Sequence, residues 1–301
     1  MITALHAMAQ FALAVLIAPL LPGLVQVVKA WVAGRRGPPA LQIYYDLLKL
    51  WRKGVVLSTT ASPWHVAGPA VAWVALATAA LVIPAGAAGA PIAFKGDALL
   101  FVYLLALARF CITGAALDTG SAFEGMGAAR EVSFAVLGEA AMITALLALG
   151  LATHSVSLET MLAAGGGTGV ALLAAGLFFV LLSENARVPF DDPNTHLELT
   201  MIHEVMVLDH GGPPLAVVLH GAALKLLLFS LMLVQVVWPL GAMPLALSLP
   251  MLAGSLVAVA VAIGLVESLL ARLAFRRVPL FLTTAFLLCV FALLVTRGRG
   301  A

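Results

Sequence analysis

The sequence predicts an all-α integral membrane protein with about eight transmembrane helices. Of its 301 residues, 63% are hydrophobic and only 10% are charged, whereas soluble domains carry about 25% charged residues. Several runs of about 20 residues contain almost no charge, which is long enough to cross a hydrocarbon layer of about 30 Å as a helix. Ala and Leu dominate these runs, and no run shows the alternation of a β-barrel strand, so helices are favoured.

Eight apolar segments fit this pattern, and we expect one polytopic domain over 1–301 without a separate soluble domain. The spans are predicted at 3–28, 64–86, 97–118, 133–153, 168–184, 215–238, 246–271 and 279–296. The first 28 residues carry no Lys, Arg, Asp or Glu, so we expect a retained first span rather than a cleaved signal peptide. Pro19 and Pro22 are expected to kink it. Cys111 and Cys289 lie inside apolar runs, which favours buried, inert thiols.

The basic residues predict an orientation. Loops 29–63, 119–132, 185–214 and 272–278 alternate with the other loops and carry eleven of the 16 Lys and Arg residues, against three on the other side. Loops rich in Lys and Arg stay in the cytoplasm. We therefore expect a prokaryotic inner-membrane protein with these four loops in the cytoplasm and both termini outside.

Two of these loops carry strong and opposite charge. Residues 29–53 have a formal charge of +5 and residues 184–210 a charge of −5. Such patches suit docking of a soluble protein, because charge complementarity fixes its register. The alternative for the basic loop is that it only sets topology and attracts anionic lipid. Tyr44, Tyr45 and Trp51 in this loop predict a short interfacial helix, either a membrane anchor or the wall of a chamber at this face.

Charged residues inside or beside the predicted spans form a second candidate site. They are Asp118, Glu124, Glu131, Glu139, Glu267, Arg109 and Lys225. A charge at the bilayer centre costs about 2.5–3.5 kcal/mol, so such residues usually line a water path or pair with one another. Glu124 and Glu131 would share a helix face, and Glu131 and Glu139 could border one cavity. We predict an ion pathway; the alternative is ion pairs that only hold helices together, such as Arg109 with a carboxylate or Lys225 with Glu139.

The acidic loop holds most of the residues that we expect to dock and couple a partner. The docking and coupling candidates are Glu184, Arg187, Asp191, Asp192, His196, Glu198, His203, Glu204 and Asp209, with Arg35, Arg36 and Asp46 on the basic loop. If 195–209 were helical, His196, Thr200 and His203 would share one face, and Glu198, Ile202, Val205 and Asp209 another. Two histidines near carboxylates could bind a metal, but HExxH is absent and we expect none. A proton path, a plain docking surface and an Asp-Pro turn remain open.

Three ordered segments resemble one family. GRRGPPALQIYYDLLKLWRKG (34–54), ENARVPFDDP (184–193) and VES followed by ARLAFRRVP (266–279) resemble loops of the membrane-anchor subunit shared by respiratory complex I and membrane-bound [NiFe]-hydrogenases. The acidic loop continues as PFDDPNTHLELTMIHEVMVLDHGGP, which resembles the hydrogenase branch of the formate hydrogenlyase and hydrogenase-4 type.

The resemblance implies a membrane-anchor and ion-pathway subunit of a hydrogenase-type complex. Its expected partners are peripheral hydrogenase large and small subunits and Fe–S subunits at the cytoplasmic face, antiporter-like membrane subunits and the lipid bilayer, with no nucleic acid. A chain of carboxylates would couple electron transfer to movement of protons or sodium. No Fe–S cysteine spacing or nucleotide-binding loop occurs, so we expect no cofactor and no catalytic centre on this chain, while the partners carry Fe–S clusters and Ni–Fe. The alternatives are a quinone-site subunit of a complex I-like enzyme, a stand-alone ion transporter and a purely structural anchor.

Overall fold

The fold is a bundle of α-helices. The structure is a computed structural model that describes residues 2–163, 169–192 and 199–298, with the side chains of residues 2–6 left aside. The helices in the described ranges are α1 (Ile2–Ile17), α2 (Leu20–Val32), α3 (Gln42–Trp51), α4 (Trp64–Val82), α5 (Asp97–Asp118), α6 (Ala122–Thr153), α7 (Leu158–Ala163), α8 (Val170–Glu184), α9 (Gly212–Val237), α10 (Leu245–Leu269) and α11 (Val278–Arg297).

The described helices account for the eight predicted spans. Seven helical segments are long and apolar enough to cross a membrane, with α1 and α2 together forming the first, and α8 is a shorter apolar helix. At 1.5 Å per residue the 15 residues of α8 rise only about 22 Å, which is less than the thickness of the hydrocarbon layer. The chain is therefore a multi-pass membrane protein, as the sequence predicts.

The first span breaks at Pro19, and neighbouring helices satisfy the backbone there. Proline has no N–H to donate to the carbonyl of Val15, four residues earlier. That carbonyl lies 3.0 Å from Nε2 of His220, and Trp73 Nε1 donates to His220 Nδ1 at 2.8 Å. Because a carbonyl can only accept, His220 is held as the neutral Nε2–H tautomer. The hydroxyl of Tyr44 on α3 donates to the carbonyl of Leu16, so the break ties α1 to α3, α4 and α9.

The prediction of a loop at 119–132 is wrong for most of its length. We expected 119–132 to be a loop, but all of it from Ala122 onward belongs to the 32-residue helix α6, about 48 Å long. The glycines and charged residues of this segment lower its hydropathy, so it does not look like part of a span. It is nevertheless covered, because the loop around 202–206 packs directly on it. A Cβ on Gly127 would lie 2.4 Å from Val205 Cγ1 and 3.0 Å from the carbonyl of Ile202. Gly127 thus permits a backbone approach that any other residue would block.

The acidic loop departs from the helix considered for 195–209. Its described residues 199–211 contain a single 3₁₀ turn at Glu204–Val207 and no α-helix. The backbone N–H groups of Ile202 and His203 donate instead to Asp191 Oδ2, both at 3.0 Å. Because these donors are used by a side chain, the expected helical faces do not form at these residues. His196 and Glu198 lie outside the described residues.

Hydrogen bonds between loops identify the two ends of the bundle. At one end Ser62 donates its N–H to Asp118 (2.7 Å) and Arg272 donates to the Thr200 hydroxyl (2.9 Å). We call this end the loop face; it carries 33–63, 119–121, 185–192, 199–211 and 270–277. At the opposite face the carboxylate of Asp97 caps the start of α7 through the Leu158 N–H (2.5 Å). All four predicted basic loops thus share one face, and both cysteines are buried as predicted.

Candidate functional site

Arg109 on α5 lies at the centre of a buried cluster of charges. Its guanidinium is hydrogen-bonded to Glu131 Oε1 at 3.2 Å, to both oxygens of Glu184 (2.6 Å to Oε2) and to Glu139. Only 8% of the Arg109 side chain is exposed, and Glu131 and Glu184 are equally buried. The planar guanidinium suits this role because it directs several N–H groups at carboxylates in one plane.

Lys225 on α9 supplies the second cation of the cluster. Its ammonium lies 2.8 Å from Glu184 Oε2, and not beside Glu139, the partner we considered from the sequence. Three carboxylates therefore face two permanent cations, which leaves a formal charge of −1 when every carboxyl is ionised. One further proton would make the cluster neutral. Burial of unbalanced charge is costly, so the site favours holding that proton.

His203 on the acidic loop is placed to carry that proton. Its Nδ1 lies 3.4 Å from Glu131 Oε2, close enough for an ion pair although not aligned as a hydrogen bond. Burial alone would lower the pKa of His203, but the facing Glu131 carboxylate outweighs burial and raises it above its usual range. The protonation state of a loop residue is thereby linked to the charge of a cluster between transmembrane helices.

The cluster lies between a small, partly open cavity and a larger open groove. The cavity, about 110 Å³, is lined by Arg109, Glu131, His203 and Lys225 and by apolar residues of α4 and α9. Glu139 faces the other way, with 35% of its side chain exposed, into a groove of about 810 Å³ between α5 and α6. Apart from Glu139, Lys95 and His154 that groove is largely apolar. A series of charged side chains in contact, from His203 through Glu131 and Arg109 to Glu139, therefore links the acidic loop to the outer surface of the bundle.

A separate pair of cations neutralises Glu267. Its carboxylate lies 2.8 Å from Lys29 Nζ on α2 and 3.3 Å from Arg187 Nη1, and 1% of its side chain is exposed. Two cations and one anion need no further proton, and the three groups tie α2 and α10 to the loop that follows α8. The geometry thus fits the alternative of a holding ion pair for Glu267.

The acidic loop is anchored by salt bridges to its own chain. Asp191 is 1% exposed and lies 3.1 Å from Arg272 Nη2. Arg130 on α6 donates to the carbonyls of Met201 (2.8 Å) and Leu199 (2.7 Å). These contacts fix His203 against Glu131. No local pattern could have predicted them, because Arg130 and Arg272 lie about 70 to 80 residues from their partners.

The other residues predicted for docking and coupling differ in their exposure to solvent. Glu184 and Asp191 are buried within the chain, so in this structure neither is a surface for docking as we expected. Arg35, Arg36, Asp46 and Asp209 are exposed at the loop face, and Asp192, Glu204 and Arg187 are partly exposed.

Two predicted ion-pathway residues lie apart from the Arg109 cluster. Asp118 accepts the N–H of Ser62 and so orders the start of α4. Glu124 is fully buried near His65, whose ring stacks on that of His210. We did not single out these two histidines, because nothing local marks them.

Comparisons with known proteins agree on one family. The family model described as NADH dehydrogenase matches residues 5–297. Hydrogenase-4 component C of Escherichia coli K12 is 32% identical over 244 residues, which cover 79% of this chain and 76% of that protein. Formate hydrogenlyase subunit 4 of the same organism is 31% identical over 270 residues, covering 85% and 87%. A chain of the membrane-bound sulfane sulfur reductase, an archaeal respiratory membrane complex, has the same fold with a TM-score of 0.85 at 21% identity, over 98% of this chain and all of that one.

Proposed function

The chain belongs to the NADH dehydrogenase family, and from this premise we propose that it is the membrane-anchor and ion-pathway subunit of a hydrogenase-type complex. The relatives named for hydrogenase-4 and formate hydrogenlyase support the hydrogenase branch, since each covers more than three quarters of this chain. The subunit docks a peripheral electron-transfer and [NiFe] module at the loop face. It couples that module to the movement of protons or sodium through its buried charges.

One observation carries this proposal: the Arg109 cluster links the acidic loop to the groove between α5 and α6. His203 belongs to the loop, Glu131 and Glu184 lie inside the bundle, and Glu139 reaches the groove. A partner that shifts the acidic loop would move His203 relative to Glu131 and so change the affinity of the cluster for its proton. Local shifts of charge in low-dielectric surroundings act strongly on neighbouring ionisable groups.

The remaining partners follow from exposure and composition. Arg35, Arg36 and Asp46 present charge at the loop face, where a soluble module would dock in the cytoplasm with both termini of this chain outside. The groove between α5 and α6 fits a helix of an antiporter-like membrane subunit, which would cover the exposed part of Glu139. The setting is a prokaryotic inner membrane.

The redox chemistry belongs to the partners in this proposal. Only two cysteines occur in the sequence, and both are buried in apolar helices, so an Fe–S cluster does not fit on this chain. The complex I-like alternative is less favoured, because the relatives named for hydrogenase-4 and formate hydrogenlyase each match more than three quarters of this chain.

The test is purification of the complex through a tag on this chain. We expect nickel and Fe–S subunits to co-purify, and a double reversal, Arg35→Glu with Arg36→Glu, to release them at lower salt than the wild type. Arg297→Glu, at the end of α11 on the opposite face, is the control and should release nothing. Isolation of the chain without companions, with ion flux of its own in vesicles, would favour the stand-alone transporter instead.

A further inference from the structure

A second buried polar site lies at the loop face, apart from the Arg109 cluster. His65 at the start of α4, Glu124 at the start of α6 and His210 just before α9 are 2%, 0% and 6% exposed. The two imidazole rings stack with centroids 3.9 Å apart. Glu124 lies close enough to His65 to interact with it electrostatically.

Three polar atoms in this site have no hydrogen-bond partner. They are Nδ1 of His65, Nδ1 of His210 and Oε2 of Glu124. The other carboxylate oxygen of Glu124 accepts the N–H of Asp209 at 2.9 Å. The nearby hydroxyl of Thr119 donates elsewhere, to the carbonyl of Ala116 at 2.8 Å. Buried polar groups are nearly always satisfied, so three unpaired polar atoms in one site mark it as a place where a further hydrogen bond can form.

The tautomer of His210 identifies its Nδ1 atom as a hydrogen-bond acceptor. Its Nε2 lies 3.2 Å from the carbonyl of His65, and a carbonyl only accepts, so the ring proton is on Nε2 and Nδ1 is a lone pair. Burial and the neighbouring His65 ring lower the pKa of His210 to about 4, which keeps it neutral near pH 7. Nδ1 of His210 is therefore an acceptor, in a ring that stacks on the His65 imidazole with centroids 3.9 Å apart. A single proton added to the Glu124 carboxyl turns one acceptor of this site into a donor.

The charged groups around the site are acidic. Asp118 faces it from the end of α5 and Asp209 from the loop before α9, and both interact electrostatically with its members. Only the backbone of Lys53 reaches this region, beside Gly212, while its side chain is exposed. Negative surroundings favour binding of a positive charge.

The site is also in line with the Arg109 cluster. Glu124 and Glu131 are seven residues apart on α6, about 10 Å along its axis and on the same side. Between them lies the turn Glu204–Val207, whose Met206 and Val207 line the cavity that Glu131 and His203 share.

We propose that His65, Glu124 and His210 form a proton-loading site that takes a proton from the loop face and supplies the Arg109 cluster. This rests on the proposed function and adds that the ion delivered is a proton. The proton is held between the Glu124 carboxyl and the imidazoles, and it leaves toward Glu131 when that cluster loses its own. No bond other than that to hydrogen forms or breaks.

The test uses the purified complex in proteoliposomes. Carbodiimides react with protonated carboxyl groups in apolar surroundings, so dicyclohexylcarbodiimide should label Glu124, and peptide mass spectrometry should show labelling that falls as pH rises. His210→Gln should shift the midpoint of that fall. Glu124→Gln keeps an acceptor for the Asp209 N–H and should assemble normally, yet lower coupled proton translocation at least tenfold. The matched control is Glu159→Gln on α7, at the opposite face, which should leave translocation unchanged.

The outcomes are separable. A Glu124 that is never labelled between pH 5 and 8, or a Glu124→Gln complex that translocates protons at the wild-type rate, overturns the loading site while the pathway through Glu131 stands. A wild-type complex that moves no ion overturns the proposed function and the loading role with it.

Discussion

Replacing Arg109 by glutamine removes the cation that three carboxylates share. Glu131 and Glu184 are almost fully buried, and Arg109 contacts both as well as Glu139. In the variant Lys225 still reaches Glu184, but Glu139 loses its cation and Glu131 keeps only His203. Loss of one partner from a buried ion pair costs about 3–5 kcal/mol, and we expect a destabilisation of this size.

A second substitution separates charge balance from lost packing. If charge is the cause, Glu139→Gln added to Arg109→Gln should restore part of the stability, with a coupling energy of about 1–3 kcal/mol. The assay is unfolding of the purified chain in mixed micelles by titration with dodecyl sulfate. Lys95→Gln, an exposed cation at the opposite face, should change stability by less than about 0.5 kcal/mol. Arg109→Gln with wild-type stability, or a double variant whose effects simply add, would refute the reasoning.

Three further predictions concern the loop and the helix break. In the wild type, the His203–Glu131 ion pair is fully present below the unfolded-state pKa of His203, about 6.5, and is lost as pH rises through the raised folded-state pKa. Amide hydrogen exchange in 199–207 should therefore speed up at alkaline pH by more than the intrinsic effect of pH. This extra change should vanish in His203→Gln. Asp191→Ala removes the acceptor of two backbone N–H groups, so exchange there should rise at every pH by the equivalent of about 1.5–3 kcal/mol; unchanged protection would contradict the anchoring role. His220→Phe leaves the Val15 carbonyl and the Trp73 N–H without partners and should cost about 1–3 kcal/mol in the same micelle assay, whereas equal stability of both chains would show that the break needs no such tie.

Hydropathy predicted the spans well because backbone N–H and C=O groups in a bilayer must form hydrogen bonds with one another. In lipid an unpaired N–H or C=O is expensive, so each long apolar run must be helical. Hydropathy is less informative at the ends of the helices, where charged residues are common. The first third of α6 carries Glu124, Arg130 and Glu131 and looks like a loop by composition, yet it is helical because other parts of the chain cover it.

The charged site could be predicted in its members but not in its pairing. A buried charge is improbable enough that Arg109, Glu131, Glu139 and Lys225 stand out in an apolar sequence. Which carboxylate each cation meets depends on how helices far apart in the chain pack, since Arg109 and Glu184 are 75 residues apart. For this reason Lys225 meets Glu184 and not Glu139, the partner that we considered for it in the alternative of holding ion pairs.

The loop residues were the hardest to assign. Asp191 looked like a docking charge because acids in a loop are usually solvated, but the folded loop uses it to hold its own backbone. His65 and His210 come together across 145 residues, and no local pattern in either segment could show that they meet.

Ion movement per electron in proteoliposomes tests the ion-pathway role most directly. With the complex assembled and its electron-transfer rate measured in the same vesicles, Glu131→Gln and Glu139→Gln should each reduce the ions translocated per electron at least tenfold, while Glu159→Gln leaves the ratio at the wild-type value. Full translocation in both cluster variants would contradict the role of the Arg109 cluster and leave this chain as a structural anchor.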